Sequence, residues 1–406
     1  MSWIALQMLT GDRAKFFGIV MGLTFAALLI TQQGSIFCGL MLRTASQITD
    51  TTGADLWVMD PNVLQVDDSK PMIENNLYRV RGVEGVAWAV PFYKGNARAK
   101  VNNVGGSPEK VIEQVILLGL DDSSMVGAPP PERILVGRLQ DLRKPESIMV
   151  DFTRIAKLFP GYPPDAYKKE NAGQFIGKEL EMNDHRAIIV GICEASRSFQ
   201  SNPVVYTTYS RAKGYVAQER KVLSYILAKV DGVDNPALSP EQVEARKDAV
   251  AASVKRQTGL MALSSRAFLW KTIDYYMKYT GIPINFGITA VLGFLVGTAI
   301  AGQTFYNFTL ENLKQFGALK AMGATNGRIV QMILLQALVV GLLGYGLGVG
   351  LAAFFGEQTQ GGELAFYTPW QLLPITGGAV VMICVLASLL SVRRVMVLEP
   401  AVVFRG

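Results

Sequence analysis

The chain is short of the side chains that metal and acid–base chemistry recruit. It has one histidine, His185, and three cysteines in 406 residues. Metal centres gather several imidazole, thiolate or carboxylate ligands, and no such group clusters here. His185 sits beside the turn pair Asn183-Asp184 and reads as a surface residue. No G-x-S-x-G accompanies it, so a serine-hydrolase reading has no motif behind it. Cys38 and Cys384 fall in apolar runs, leaving Cys193 alone in the water-facing part, where it has no partner for an internal disulfide. A phosphate loop of the form G-x-x-x-x-G-K-[ST] is also missing. Asp67-Asp68 and Asp121-Asp122 read as turn acids. The chain is therefore expected to be no enzyme and to hold no cofactor or metal of its own.

Charge is scarce too, at 18% of residues, and unevenly placed. Four apolar runs, 16–42, 284–306, 329–355 and 370–392, contain no Asp, Glu, Lys or Arg. Each exceeds the roughly 20 residues that cross a hydrocarbon layer as a helix. Ion- and proton-coupled carriers bury an ionisable group near the midplane, and these runs offer none. The first run is far longer than the apolar core of a signal peptide and lacks a small-residue cleavage site, so it reads as a retained span. Its Thr31, Gln32, Gln33 and Ser35 are costly in lipid and belong against protein.

The few basic residues near the spans orient them. Arg13 and Lys15 precede the first, Lys314, Lys320 and Arg328 lie between the second and third, and Arg393, Arg394 and Arg405 follow the fourth. The third-to-fourth loop has Glu357 and Glu363 and no basic residue. Both ends and the 307–328 loop are thus expected in the cytoplasm. The net charge of +6 follows from this bias and scattered lysines, and does not indicate nucleic acid.

What is present is a membrane protein of four transmembrane α-helices, with a large two-lobed α+β extracytoplasmic domain between the first and second. Residues 1–15 read as a cytoplasmic interfacial helix anchored by Trp3. The first span, 16–42, is expected to continue outward as a stalk through Ala45, Ile48 and Thr49. Residues 43–280 hold the stalks and the domain. There ADLWVMD, VAWAVPFY, 97–101 and 110–119 read as strands, with ENNLYRV a helix ending near Gly82. The proline-rich texture from 121 to about 215 reads as a second, inserted lobe. ELEMNDHRAIIVGICEA gives two strands about Asn183-Asp184, and NPVVYTTY and VLSYILAKV one each. PEQVEARKDAVAASVKRQT is a helix capped by Ser239. SSRAFLWKTIDYYMKY returns to the membrane, with Tyr275, Tyr276 and Tyr279 as an aromatic belt. Spans two to four occupy 284–306, 329–355 and 370–392, with 356–369 an outer loop and 393–406 a cytoplasmic tail. Gly344 and Gly348 form a small-xxx-small pair read as helix packing.

The 307–328 loop is not written like a loop. Leu310, Leu313, Phe316 and Leu319 recur at helical spacing, and Gly323 to Gly327 break the pattern before a helix expected to start at Arg328. A short amphipathic helix held by two spans is suited to receive force from a partner.

The layout and the segment FTLENLKQFGALKAMGATNGRIVQMILLQA resemble the MacB/FtsX-like permeases of ABC transporters, the type VII or mechanotransmission class. Glu311, Gly317, Leu319, Lys320, Ala321, Gly323 and Ala324 occupy the recognisable places; the family's second acid is replaced at Gln315 or Phe316. The ending LEPAVVFRG is similar to the family's L-x-P-x-x-A-L-R. GICEASRSFQSNPVVYTTYSRA, WIALQMLTGDRAKF and the second-span region resemble the DevC subgroup, permeases associated with heterocyst glycolipid export.

The resemblance implies a homodimer with two cytoplasmic ABC ATPase subunits that bind ATP and Mg. It also implies a HlyD-like periplasmic adaptor and a TolC-like outer-membrane channel. Glu311, Lys314, Phe316, Gly317, Leu319, Lys320, Ala321, Gly323 and Ala324 would couple to the ATPase, and Leu398, Pro400 and Arg405 would dock the tail. The expected function is an inner-membrane permease moving a glycolipid or other amphiphile toward the duct. An FtsX-like scaffold regulating periplasmic hydrolases and a lipoprotein-extraction permease are the alternatives.

Overall fold

The computed structural model describes residues 2–102, 110–216, 223–359 and 364–396. In chain order, α1 (Ser2–Gly11) precedes the long α2 (Arg13–Thr44), and a break at Ala45 leads into the short α3 (Ser46–Asp50). Then come β1 (Leu56–Met59), α4 (Asn75–Arg81), β2 (Val86–Val101), β3 (Val111–Leu120), β4 (Ile134–Val136), β5 (Ser147–Asp151) and α5 (Ile155–Leu158). They are followed by β6 (Glu179–Met182), β7 (His185–Cys193), β8 (Val204–Thr208), α6 (Tyr209–Gly214), β9 (Tyr225–Val230), α7 (Pro240–Thr258), β10 (Met261–Ser264) and α8 (Ser265–Tyr279). The chain ends in α9 (Ile282–Glu311), α10 (Leu313–Ala321), α11 (Asn326–Gln358) and α12 (Leu372–Met396). It divides into a helical unit, 1–40 with 280–406, and an α+β unit, 41–279.

In the helical unit, α2, α9, α11 and the Leu372–Arg393 part of α12 are long and apolar enough to cross a membrane. The contact between α2 and α11 explains the glycine pair. A Cβ on Gly348 would lie 2.6 Å from Ala27 Cβ and 2.7 Å from the Thr24 carbonyl oxygen. One on Gly344 would lie 2.6 Å from Leu23 Cβ. Only glycine lets the two backbones approach this closely. Farther along α2, Thr31 donates to Thr376 Oγ1 at 3.2 Å, and one turn on Ser35 and Thr368 share a hydrogen bond at 2.8 Å. Thr31 and Ser35 of the first run thus bond to α12 and the segment just before it rather than facing lipid.

The α+β unit is built on ten strands in the order β10-β1-β9-β2-β3-β8-β5-β7-β4, with β6 pairing β2 and β7. Strand β2 is the hinge of this arrangement. Val86 to Phe92 pair with β9, whereas Tyr93 to Val101 pair with β3. VAWAVPFY and 97–101, expected as two strands, are therefore one 16-residue strand shared by two groups. The second group opens with the distal part of β2 and β3, ahead of residue 121, because β3 pairs with β2 along Tyr93 to Val101. Asn183 and Asp184 both have positive φ, 50° and 63°, as a two-residue hairpin between β6 and β7 requires.

Alternation along the strands sends side chains into two cores, one per face. Leu56, Val58, Val115, Leu117, Ile148 and Val150 enter one; Trp57, Met59, Ile116, Leu118 and Met149 enter the other. Each core therefore runs through both strand groups. Trp57 centres the second, with ring centroids of Phe92, Tyr225 and Phe268 at 5.6, 5.3 and 5.5 Å. Helix α7 starts at a capping box, Ser239 Oγ accepting from Gln242 N–H at 3.3 Å and Gln242 Oε1 from Ser239 N–H at 2.8 Å. It stops at Gly259, where φ is 74°. Strand β10, too short to show a period of its own, was not foreseen; it pairs with β1 and leads into α8.

Asp151, at the end of β5, accepts from Thr153 N–H at 2.9 Å, Thr153 Oγ1 at 2.6 Å and Ala195 N–H at 3.1 Å. Burial outweighs these bonds and pushes its carboxyl up to about 6. The folded state then binds the proton more tightly than the unfolded chain, so ionisation costs stability in full above pH 6. That cost is relieved as pH falls toward the ordinary carboxylate range, and amounts to roughly 2–3 kcal/mol. Asp151→Asn, which keeps an acceptor at the turn, should melt above the parent at pH 8, with the gap closing toward pH 5 in a tryptophan-fluorescence series. A constant gap across that range would remove burial of the charge as its cause.

Gly348→Leu should lower the melting temperature of the detergent-solubilised chain and broaden its size-exclusion peak, overpacking costing about 1–3 kcal/mol or more. Gly346→Leu is the control: a Cβ there meets nothing within 4 Å. Equal behaviour of the two variants would sink the close-packing account.

Candidate functional site

The segment between α9 and α11 is helical nearly throughout. Helix α9 runs on to Glu311, and Asn312 interrupts the rod, its side-chain amide donating to the Phe308 carbonyl at 2.8 Å. Glu311, read as part of the loop helix, therefore belongs to the end of α9. Helix α10 ends in a turn whose bonds dictate its sequence. Ala324 N–H donates to the Leu319 carbonyl at 2.9 Å and Gly323 N–H to that of Lys320 at 3.0 Å. This double pattern places Gly323 at a φ of 93°, open to glycine at little cost. Ala324 follows as the small apolar residue that packs back beside Leu319. Thr325 stands in extended conformation just before α11, which starts at Asn326 rather than Arg328, so Gly327 lies in its first turn.

The helix has two faces. Phe316 is fully buried with Ile329, Ile333 and Val395, and Leu319, 7% exposed, packs with Ala5 and Met332. Gly317 is buried as well. These residues hold α10 against α1, α11 and α12. Lys320 adds a polar tie: its Nζ donates to the Val395 carbonyl at 2.8 Å and reaches that of Met396 at 3.4 Å. A cation there opposes the negative, carbonyl-bearing end of the helix dipole. The opposite face is free: Lys314, Gln315, Ala318, Ala321 and Gly323 are exposed, and Met322 is 76% exposed.

Helix α1 is part of the same assembly. Gln336, buried in α11, donates to the Ala5 carbonyl at 2.8 Å. Trp3, Ile4 and Gln7 point away from this contact. Between α1 and the α9–α10 joint lies a polar groove of about 510 Å³, lined by Ile4, Gln7, Asp12, Glu311, Asn312 and Gln315 among others. Lys15 pairs with Asp12 at 2.7 Å and also with Glu311, bridging the start of α2 to the end of α9.

The sequence-derived set thus separates into two groups. Phe316, Gly317 and Leu319 fasten the helix, with Ala324 at its turn and Lys320 at the end of α12. Glu311, Lys314, Ala321 and Gly323 lie at the surface. Outside the coupling set read from sequence were Gln315, Ala318 and Met322, which complete the exposed face, and Gln336, one of two glutamines in the apolar run 329–355. Leu398, Pro400 and Arg405 lie outside the described residues.

Apolar helices around a rigidly held connecting helix, joined to a water-facing α+β unit, define a membrane permease subunit. A family model described as the FtsX-like permease C-terminal matches residues 287–400, and one described as the MacB-like periplasmic core domain matches residues 16–246. The chain belongs to the MacB/FtsX-like family of ABC transporter permeases. An uncharacterized ABC transporter permease of Mycobacterium tuberculosis is 24% identical over 247 residues, 61% of this chain and 63% of that protein. The macrolide export ATP-binding/permease protein MacB of Salmonella paratyphi A is 21% identical over 245 residues, 58% of this chain and 33% of its own length. The chain thus spans less than two thirds of these relatives. The periplasmic region of MacB from Actinobacillus actinomycetemcomitans aligns with a TM-score of 0.35 at 12% identity, covering 56% of this chain and 95% of that one. The extracellular domain of YknZ from Gram-positive bacteria gives 0.33 at 13%, covering 52% and 98%. At such scores these likenesses add nothing to the assignment.

Lys320→Met should loosen the last turn of α12. Hydrogen exchange of amides near 392–396 should quicken while the middle of α12 is unaffected, a loss of about 1 kcal/mol locally. Unchanged exchange there would show that the lysine contributes nothing to the cap.

Proposed function

We propose that this chain is the membrane subunit of an ATP-driven exporter, coupling ATP hydrolysis in a separate cytoplasmic ABC ATPase to movement of its outer domain. One observation carries the reading: α10 is fixed to the spans by one face and free on the other. The free face, with Lys314, Ala318, Ala321 and Met322, is where the ATPase docks. Force applied there reaches α11 and α12 without being absorbed, because Phe316, Leu319 and Lys320 tie the helix down. The basic residues flanking the spans support a cytoplasmic position for α10 and both termini.

The chain works as a dimer in the inner membrane and passes its motion outward rather than carrying cargo between the spans, whose apolar runs hold no Asp, Glu, Lys or Arg. Its cargo is a glycolipid or other amphiphile handed to a periplasmic adaptor and an outer-membrane duct. The sequence resemblance to glycolipid-export permeases supports this cargo class, and the size of the outer unit suits export better than regulation of a hydrolase. Gentle purification from native membranes distinguishes the readings. An ATPase with an adaptor supports export; a cell-wall hydrolase, or a second permease, would replace it.

The two faces of α10 give a sharper test. Ala321→Asp places a charge on the free face and should abolish co-purification of the ATPase while the melting temperature stays within a degree or two of the parent. Leu319→Asp buries a carboxylate in an apolar cluster and should lower the melting temperature as well. If Ala321→Asp retains the ATPase and normal transport, the docking role is wrong.

A further inference from the structure

The segment that leaves α2 makes two polar anchorages five residues apart, to different parts of the sheet. Asp50, at the end of α3 and 5% exposed, accepts from Arg133 NH1 at 2.6 Å, from Ser196 N–H at 2.5 Å and from Ser196 Oγ at 2.7 Å. Arg133 NH1 also donates to Ser196 Oγ at 2.8 Å, closing the triangle. Arg133 immediately precedes β4, and Ser196 lies just beyond β7, the strand that pairs with β4. Thr52 reinforces this side, its N–H and Oγ1 donating to the Ala128 carbonyl at 3.3 and 2.8 Å.

Asp55 turns the other way. Its carboxylate accepts from Val230 N–H at 3.1 Å and lies 3.4 Å from Lys229 Nζ and 3.3 Å from Lys247 Nζ. Its carbonyl accepts from Ser265 N–H at 3.2 Å, at the start of α8. In strand order β1 and β9 stand near one end, and β7 and β4 at the other. One short segment therefore holds both strand groups.

Around Asp50 the seat of α3 is poorly satisfied. Ser46 Oγ and both amide atoms of Gln47 are buried with no hydrogen-bond partner among the described residues. Across the α3–α8 packing, Thr272 Oγ1 is in the same condition. Buried polar groups left unpaired favour any arrangement that pairs them. Helix α3 is thus tied to the second strand group by a charged triangle, while the side chains of Ser46 and Gln47 have no partner among the described residues.

We infer that Asp50 is a positioning residue for transmission: the Asp50–Arg133–Ser196 triangle carries displacement of the outer end of α2 into the β4–β7 strand group. Asp55 independently carries it into the β1–β9 group. The inference rests on the reading of the chain as an ATP-driven permease. It adds a specific path to it: with the triangle cut, the second group no longer follows, although the first does.

The test is hydrogen exchange on the full complex with its co-purifying ATPase, with and without ATP and vanadate. In the parent, nucleotide should change exchange in peptides of both groups, for example 131–136 and 193–208 in one and 225–264 in the other. Asp50→Asn and Arg133→Met should reduce the response of the second group by about threefold or more, leaving that of the first and the ATPase rate intact. Arg133→Lys should restore much of it. Arg133→Met serves if Asp50→Asn folds poorly, because the side chain of Arg133 is 40% exposed. A second-group response equal to the parent's in both variants, with or without a lower melting temperature, would overturn the transmission role and leave the permease reading standing. Absence of any nucleotide response in the parent would overturn the permease reading, and this inference with it.

Discussion

The burial of Phe316 and Leu319 is the contact on which the rest depends. A connecting helix transmits force only if it cannot rock on its own mountings, and α10 has three. Its apolar stripe packs against α1, α11 and α12, Lys320 caps the end of α12, and the turn at Gly323-Ala324 leads it into α11. Each mounting alone is worth no more than a few kcal/mol. Together they leave the helix little freedom to move except with the bundle. The close approach of α2 to α11 over Gly344 and Gly348 extends this stiffness to the first span.

The α+β unit meets a different constraint. Its ten strands form one sheet whose two strand groups must hold together. Strand β2 supplies mechanical continuity, belonging to both strand groups, and the two cores lie along the faces of the sheet rather than one in each group. Sliding one group against the other would disturb both cores. The polar ties at Asp50 and Asp55 add to this packing at the segment between α2 and β1, alongside the apolar contacts of Ala45 and Ile48.

Much of this was legible in the sequence, for identifiable reasons. The apolar runs, the capped helix after Ser239 and the Asn183-Asp184 hairpin are set by local chemistry, which a sequence displays directly. The unity of β2 was hidden because Pro91 and Gly95 interrupt the alternation, and only pairing with β9 and then β3 carries the strand through. Helix α2 was expected to run on as a stalk. It breaks at Ala45 because the following residues are claimed by the domain's core: Ala45 and Ile48 pack into the cluster around Trp57. In α10 the periodicity showed which residues form a stripe, but not which side of the helix the spans take. Phe316 and Leu319 were grouped with Ala321 as partner contacts for that reason, and the fold assigns them to opposite faces.

The place of the family's second acid is also decided by burial. The sequence alone left Gln315 and Phe316 as the candidates. Phe316 is fully enclosed among Ile329, Ile333 and Val395, where a carboxylate would lose its hydration. Gln315 is exposed and lines the groove beside Glu311 and Asn312. Position 315 therefore tolerates an acid and position 316 does not. A second carboxylate in that groove would stand near Glu311 and Asp12, which already share Lys15. With one cation serving two acids, a neutral amide at 315 avoids adding like charge.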